Sequence, residues 1–557
     1  MAEPVSRPDP TLVYLVLAAL IGSTIFGGVY YLSFRPSHTA PVPTIYENLS
    51  VTLAPPLGKL SPDFFGMNLR PEYPPSVAPG AALNGSPIVL YRWPGGGLAD
   101  RLDVFTNTVY ADDGSTTLAA SSLVDFVDWC RSQVDCGAII QLPSETNDSS
   151  FVANEVRYIT ENLSFAPAYF EIGNEPALWT HFGVPWSSWN SSQQLNATPT
   201  SYAGEAAGLI AAIRGVNSST PILAIGGVGQ GATGEAGWLG TLAARVGTRA
   251  GGYALHVYPA GGATNDSTLA AFYQTLNSSA AIPNRLPLDR AAIYAACAAC
   301  KSLPILADEL GSGTGGSPYG AFESGYPEAP YVATELLQGI YRNLSSAELY
   351  AYETAYPGTY LDPQTQSPRP VALVYQDFVP MLPPRLLSAS LSLNFSQVKV
   401  FAGDSLGGSN LTVWVVNTGP TAVALNWTTP YPLPVQMEVV SWAPNESLPH
   451  IAPAPILPSQ HLFVPSGGMW LGRLLLSNSS TALSFRGPGP APVVRPGPAP
   501  PYAGPLTVTR VSVPLMPGMR RTRWSTMSRA SLTCPAWIFT MRSNGPVTAS
   551  TSTTWGT

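Results

Sequence analysis

The chain has 557 residues, 45% of them apolar and 10% aromatic, enough to bury a sizeable core and too many for general disorder. Only 11% are charged, and a net charge of −7 argues against a nucleic-acid binder, which needs a basic face to displace phosphate counterions. Five cysteines in this length exclude a disulfide-built scaffold, and 57 Pro with 51 Gly imply many loops.

After a short tail (1–11), the uncharged run LVYLVLAALIGSTIFGGVYYL (12–32) is long enough to span a hydrocarbon core of roughly 30 Å. It exceeds the usual apolar region of a cleaved signal and lacks a small-x-small site, so it reads as a single-pass transmembrane anchor; secretion after cleavage is the alternative. Arg7 and Arg35 flank it on both sides, so charge does not orient it. Asn-x-Ser/Thr sequons recur from Asn48 to Asn478, all beyond the anchor, and point to a glycoprotein body on the outer face of the cell membrane.

A Pro-rich stem (33–45) leads into a stretch, 46–384, in which short apolar runs alternate with helical patterns. The runs are FFGMNL (64–69), PIVLYRW (87–93), GAIIQLP (137–143), AYFEIGN (168–174), PILAIGGVG (221–229), GGYALHVYP (251–259), PILADELG (304–311) and AELYAYET (347–354). Between them lie segments such as SLVDFVDWCRSQ, VANEVRYITENL, YAGEAAGLIAAIRG and YVATELLQGIYRN. Continuous apolar strands separated by helices predict an α/β fold, a (β/α)8 TIM barrel, whose strands are buried on both faces. A doubly wound sheet is the competitor, but neither GxGxxG nor GxxxxGK[ST] follows a strand.

From 385 to 476 the pattern becomes helix-poor and alternating (SQVKVFAG, NLTVWVVNTG, TAVALNWTT), which predicts an accessory C-terminal β-sandwich domain; NLSVTLAP (48–55), within 46–56, is a candidate for one of its strands. The segment 477–557 turns basic and Pro/Gly-rich, with eight Arg and no Lys, Asp or Glu from Arg486 on, and reads as unfolded. Cys130 with Cys136, and Cys297 with Cys300 late in an Ala-rich helix, predict local disulfides, with a four-cysteine zinc site as the sharper alternative.

The chemistry concentrates at two strand ends. YFEIGNEPALW (169–179) places Asn174 and Glu175 where a strand gives way to a loop at Pro176, with Glu171 deeper along the strand. At the carboxy-terminal mouth of a barrel such a carboxyl is positioned to act as a general acid. PILADELGSGTGG (304–316) supplies Glu309, 134 residues on, about three βα units, which puts it on the seventh strand if Glu175 follows the fourth. Two carboxyls on nearby mouths of one barrel are what cleavage of a glycosidic bond requires: one protonates the leaving oxygen, the other attacks or stabilises the anomeric carbon.

These blocks, with YRWPGGGLAD (91–100) and the trailing β-sandwich, resemble clan A retaining glycoside hydrolases, and within them most closely glycoside hydrolase family 79, the heparanase and β-glucuronidase family. The resemblance spans about 46–475 in short blocks and implies Glu175 as acid/base, Glu309 as nucleophile and Asn174 against the sugar 2-hydroxyl. It implies that Tyr258 bonds the nucleophile and that His256 lines the sugar site, with Arg92, Asp100, Asn68 and Gln141 around the same mouth. Asp308 immediately before Glu309 departs from the pattern. Trp179 and Trp186 are candidates for stacking on sugar faces. The implied partner is a glycoside, oligo- or polysaccharide, with no cofactor and no metal. Another clan A exo-glycosidase, acting on arabinosides, xylosides or glucosides, and a catalytically silent carbohydrate-binding surface protein are the alternatives.

Overall fold

A computed structural model describes residues 44–475, apart from 53–56, 73–82, 84–86, 191, 193–194, 228–231, 262–267, 314–318, 355–357, 393–396, 406–409, 428–435, 445 and 456–459. The amino-terminal tail, the apolar run 12–32, nearly all of the stem and the tail 477–557 lie outside the described residues, as do the sequons at Asn84, Asn265, Asn394, Asn445 and Asn478. No helix among the described residues is long and apolar enough to cross a membrane.

Eight parallel strands close into a barrel: β1 (Phe65–Asn68), β2 (Leu90–Trp93), β3 (Gly137–Leu142), β4 (Tyr169–Ile172), β5 (Ile222–Ile225), β6 (Gly252–Val257), β7 (Ile305–Leu310) and β8 (Ser346–Leu349). They pair in chain order, and β8 returns to β1 with Ala347 beside Phe65. Every run expected to be a strand contributes one. Their uniform burial, complete in β5, β6, β7 and β8, is why these segments read as unbroken apolar runs rather than alternating ones.

The helices outside the barrel follow from local sequence. Ser122 and Asp125 form a capping box at the start of Leu123–Ser132, and Leu123, Phe126, Val127 and Cys130 recur at helical spacing on its buried face. Thr198, with Pro199 at the first helical position, starts Pro199–Val216, which buries Leu209, Ile210 and Ile213, each contributing about 1.5–3 kcal/mol. The helix Ile282–Ala296 stops one residue before the cysteines expected inside it; Cys297 caps its end and closes a disulfide with Cys300 across a single 3-10 turn. Cys130 and Cys136 form the second disulfide, so the thiols pair locally and the zinc alternative falls.

Beyond the barrel the chain builds a β-rich domain in two layers. One sheet joins His450–Pro455, Gln436–Trp442, Met469–Leu475, Asn410–Asn417, Val398–Asp404 and Arg385–Leu391; the other pairs Ala422–Trp427 with Gln460–Val464. Thr44–Thr52 connects the two, antiparallel to Arg385–Leu391 at one end and parallel to Ala422–Trp427 at the other, so the strand that precedes the barrel belongs to the β-rich domain and links its strands into one continuous sheet. Leu387, Val398, Leu411, Val413, Val423, Leu425 and Val464 fill the space between. The outer face of the larger sheet packs on the barrel, with Trp414 stacked on Phe378 at 5.5 Å and Trp442 edge-on to Tyr326 at 4.8 Å.

Candidate active site

Arg92 stands at the centre of the barrel, fully buried on β2, and its guanidinium organises side chains from the surrounding strands. Nε and Nη2 clasp Glu171 of β4 at 3.0 and 2.6 Å; Nη1 donates to Asn68 Oδ1 of β1 at 2.9 Å and to Glu309 Oε1 of β7 at 2.6 Å; Nη2 also reaches Asn174 Oδ1 at 3.0 Å. Burial opposes its charge, but Glu171, Asp308 and Glu309 outweigh that and hold its pKa well above the ordinary value. Gln141 of β3 donates to Glu171 at 3.1 Å and accepts the Gly96 N–H at 3.1 Å. Asn68 donates its amide to the Asp308 carbonyl at 2.8 Å. Arg92, Asn68 and Gln141 therefore lie together, buried, with their polar groups engaged in holding one another and Glu309.

The turn that carries Glu175 is built from Gly173, Asn174 and Pro176. Gly173 has φ +68°, and a Cβ there would collide with the Ser144 hydroxyl and the Trp179 ring. Glu175 itself sits in the left-handed region at φ 41°, a strained conformation for a residue with a side chain, and of the kind that persists where a fold over-determines it. Pro176 then opens a short 3-10 helix. The over-determination comes from Asp100, only 2% exposed: Oδ2 accepts the Asn174 N–H at 2.9 Å and Trp179 Nε1 at 3.0 Å, while Oδ1 accepts the Ser144 N–H at 2.8 Å. Burial and the neighbouring Glu145 push the Asp100 carboxyl up to about 7 against these hydrogen bonds. Asp100 thus faces the backbone beneath the turn rather than the open mouth where the resemblance puts it.

β7 presents Glu309 through an irregularity. Leu255 of β6 pairs with Ala307 but His256 pairs with Glu309, so Asp308 is one residue too many, a β-bulge. On the β8 side the same extra residue appears between the Ala307 and Leu310 pairings. Glu309, its side chain 5% exposed, keeps Oε1 on Arg92 and receives the Tyr258 hydroxyl on Oε2 at 2.7 Å. His256 projects from β6 between the two glutamates, Nδ1 lying 3.0 Å from Glu175 Oε1 and 3.3 Å from Glu309 Oε2. Burial works against a charged imidazole here, but Glu309, Asp308 and Glu175 together carry its pKa up to about 9.

The structure brings together Glu175, Glu309, Asn174, His256, Tyr258 and Arg92 at one end of the barrel. Trp179 is buried, stacked on Phe182 at 5.9 Å and bonded to Asp100, so it supports the turn and presents no free face to a sugar. Trp186 stacks on Tyr110 at 5.0 Å and donates to the Asp100 carbonyl. Two residues escaped the sequence reading. Tyr350, one residue past β8, has its ring 6.3 Å from that of Tyr258, and Arg70, two past β1, donates to the Tyr350 hydroxyl at 2.6 Å. Both stand just beyond strand ends, where barrel side chains enter the mouth, and that position was the available signal.

A protonated side chain and two carboxyls in one pocket make acid–base and nucleophilic chemistry available. Oxygens of Glu175 and Glu309 and a nitrogen of His256 lie within 4.8 Å of one another.

No protein family's sequence pattern matches the chain, and no curated protein matches it in sequence. Its structure is similar to that of a glycoside hydrolase family 44 xyloglucanase from Paenibacillus polymyxa, at 12% identity and TM-score 0.59 over 78% of this chain and 100% of that one. It is also similar to a family 51 α-L-arabinofuranosidase from Bifidobacterium longum (12%, 0.58, 76% and 99%) and to an α-L-arabinofuranosidase from Thermotoga maritima in an arabinose complex (12%, 0.60, 77% and 100%). These neighbours are clan A glycoside hydrolases, and at such identity the likeness is one of fold.

Proposed function

We propose that the chain is a retaining glycoside hydrolase in which Glu175 is the acid/base and Glu309 the nucleophile. The observation that carries this reading is that an oxygen of Glu175 and one of Glu309 come within 4.8 Å of each other, with His256 Nδ1 beside both, an approach that suits direct attack by the second carboxyl. Glu309, held between Arg92 and Tyr258, attacks the anomeric carbon as Glu175 passes its proton to the departing oxygen. Water, deprotonated by Glu175, then releases the sugar from the Glu309 ester with the original anomeric configuration. Glu175→Gln and Glu309→Gln should each abolish hydrolysis of an aryl glycoside and leave sugar binding measurable. Undiminished turnover in both variants would sink the assignment, and binding without turnover in the wild type would favour the silent carbohydrate-binding protein.

For the sugar we infer a β-linked uronic acid, as in β-glucuronidases and heparanases. Support comes from the family 79 resemblance and from Arg70, a guanidinium one aromatic ring away from the Tyr258 that holds Glu309. Glu72, 2.6 Å from Arg70 and 40% exposed, shares that charge from the solvent side. A panel of aryl glycosides tests this. A β-glucuronide should be the preferred substrate and Arg70→Gln should erase the preference; preference for an arabinoside, xyloside or glucoside would select the alternative. For location we propose export, with 12–32 as membrane anchor; the two disulfides support an oxidising compartment.

A further inference from the structure

Asp308 is the residue the reaction above leaves unused, although it lies between the groups that perform it. Its side chain is fully buried and neither carboxyl oxygen makes a hydrogen bond; the nearest partners are Arg92 Nη2 at 3.4 Å and His256 Nε2 at 3.9 Å. His256 Nε2 is likewise buried without a hydrogen bond. Buried polar groups are costly unless they serve one another, and beside the Arg92 guanidinium the Nε2 edge of His256 is the charged neighbour of Asp308. The bulge in β7 exists at this residue: without the extra position, Asp308 would alternate to the opposite side from Glu309.

We propose that Asp308 is a positioning residue that faces the Nε2 edge of His256 at 3.9 Å and so fixes the imidazole between Glu175 and Glu309. This rests on the hydrolase reading, since it assigns the ring a task within that reaction. An imidazolium 3.0 Å from Glu175 stabilises the carboxylate that remains when the acid has given up its proton, and the same carboxylate must later act as base. A ring free to turn about its Cβ–Cγ bond would lose that alignment.

The groups surrounding the pair are consistent with this assignment. Glu171 of β4 and Arg92 of β2 face Asp308, and Glu348 of β8 lies against Arg92 and Glu171. His256 faces Glu175, Glu309 and the Tyr258 ring edge, and its carbonyl accepts from the buried Arg285. Glu171 already occupies the guanidinium of Arg92. Burial, with Glu171 beside it, pushes the Asp308 carboxyl up, while Arg92 and His256 pull it down. An amide at this position keeps an oxygen before Nε2; a hydrocarbon of equal volume does not.

The test compares Asp308→Asn with Asp308→Leu in the full chain, using the aryl glycoside that the wild type cleaves. The Asn variant, which keeps an oxygen before Nε2, should keep kcat within about threefold. The Leu variant should lose at least about tenfold in kcat with KM within about threefold, and the basic limb of its profile should fall about one pH unit earlier, as His256 gives up its proton sooner. Histidine-selective 15N NMR, with the His256 signal assigned by its loss in His256→Asn, reads the ring directly: titration near 9 in wild type and lowest in the Leu variant. Asp308→Ala gives the same readout should Leu prevent folding. Equal kcat and pH limbs in the Asn and Leu variants, or a His256 that titrates identically in all three, would overturn the proposal. A chain that cleaves no glycoside defeats the hydrolase reading, while the NMR comparison still decides whether Asp308 holds the ring.

Discussion

Asp100 accepts the backbone N–H of Asn174 at 2.9 Å, which ties the turn after β4 to the loop that follows β2. The acid/base candidate is therefore placed by a carboxyl that does not itself enter the pocket. A buried acceptor serving Asn174, Trp179 and Ser144 leaves several donors unsatisfied if removed, at about 1–3 kcal/mol each. Asp100→Ala should lower the melting temperature and cut kcat at least about tenfold, while Asp100→Asn, which keeps one acceptor oxygen, should lose less of both. Equal kinetics in wild type and Ala variant would show that the turn holds without it.

Gly173→Ala puts a methyl group against Ser144 and Trp179 at φ +68°. Backbone strain alone amounts to about 1–3 kcal/mol, and relief must come from moving the turn that carries Glu175. Urea unfolding should show a reduced midpoint and turnover should fall further than stability accounts for. An alanine variant of wild-type activity would contradict the role given to this backbone.

Tyr258→Phe removes one of the two donors that hold Glu309. A hydrogen bond to a charged group contributes about 1.5–3 kcal/mol, so kcat should fall about 10- to 100-fold with little change in KM. A change confined to KM would indicate that Tyr258 binds the sugar instead.

Stability should decline as pH rises. Asp100 and Asp289 are pushed up to about 7, Glu328 and Glu348 to about 8, chiefly by burial, so the folded state binds protons that the unfolded chain has already released above about 4.5. His256 acts in the same direction: its contribution is complete below an unfolded pKa of about 6.5 and is lost as pH passes about 9. The melting temperature should therefore fall steadily from pH 5 to pH 9. Calorimetry that finds the protein more stable at pH 8 than at pH 5 would refute this.

The barrel was legible because its strands are buried on both sides, and unbroken runs such as GGYALHVYP carry that signature directly. Glu175 and Glu309 were legible for a related reason: an acid at the end of an apolar run is conspicuous. What the sequence conceals is register. Nothing in ADEL announces that one residue is extra, so Asp308 reads only as a departure from the family pattern, whereas the register shift falls at this residue and both acids are buried. Asp100 was found but misplaced, because a conspicuous acid near a mouth looks the same whether it faces solvent or the underside of a neighbouring turn. Arg70 and Tyr350 were missed although each stands at the end of an apolar run, because a lone Arg or Tyr there is less conspicuous than an acid.

Thr44–Thr52 lies between Arg385–Leu391 and Ala422–Trp427, so a piece of chain made before the barrel finds its neighbours only after the barrel has been synthesised. The ribosome releases it as a lone ribbon that must wait through more than three hundred residues of translation for its pairing edges. Cutting the gene between the two domains would accordingly orphan this ribbon in one fragment and open a gap in the other, and the halves should recover their shape only when mixed.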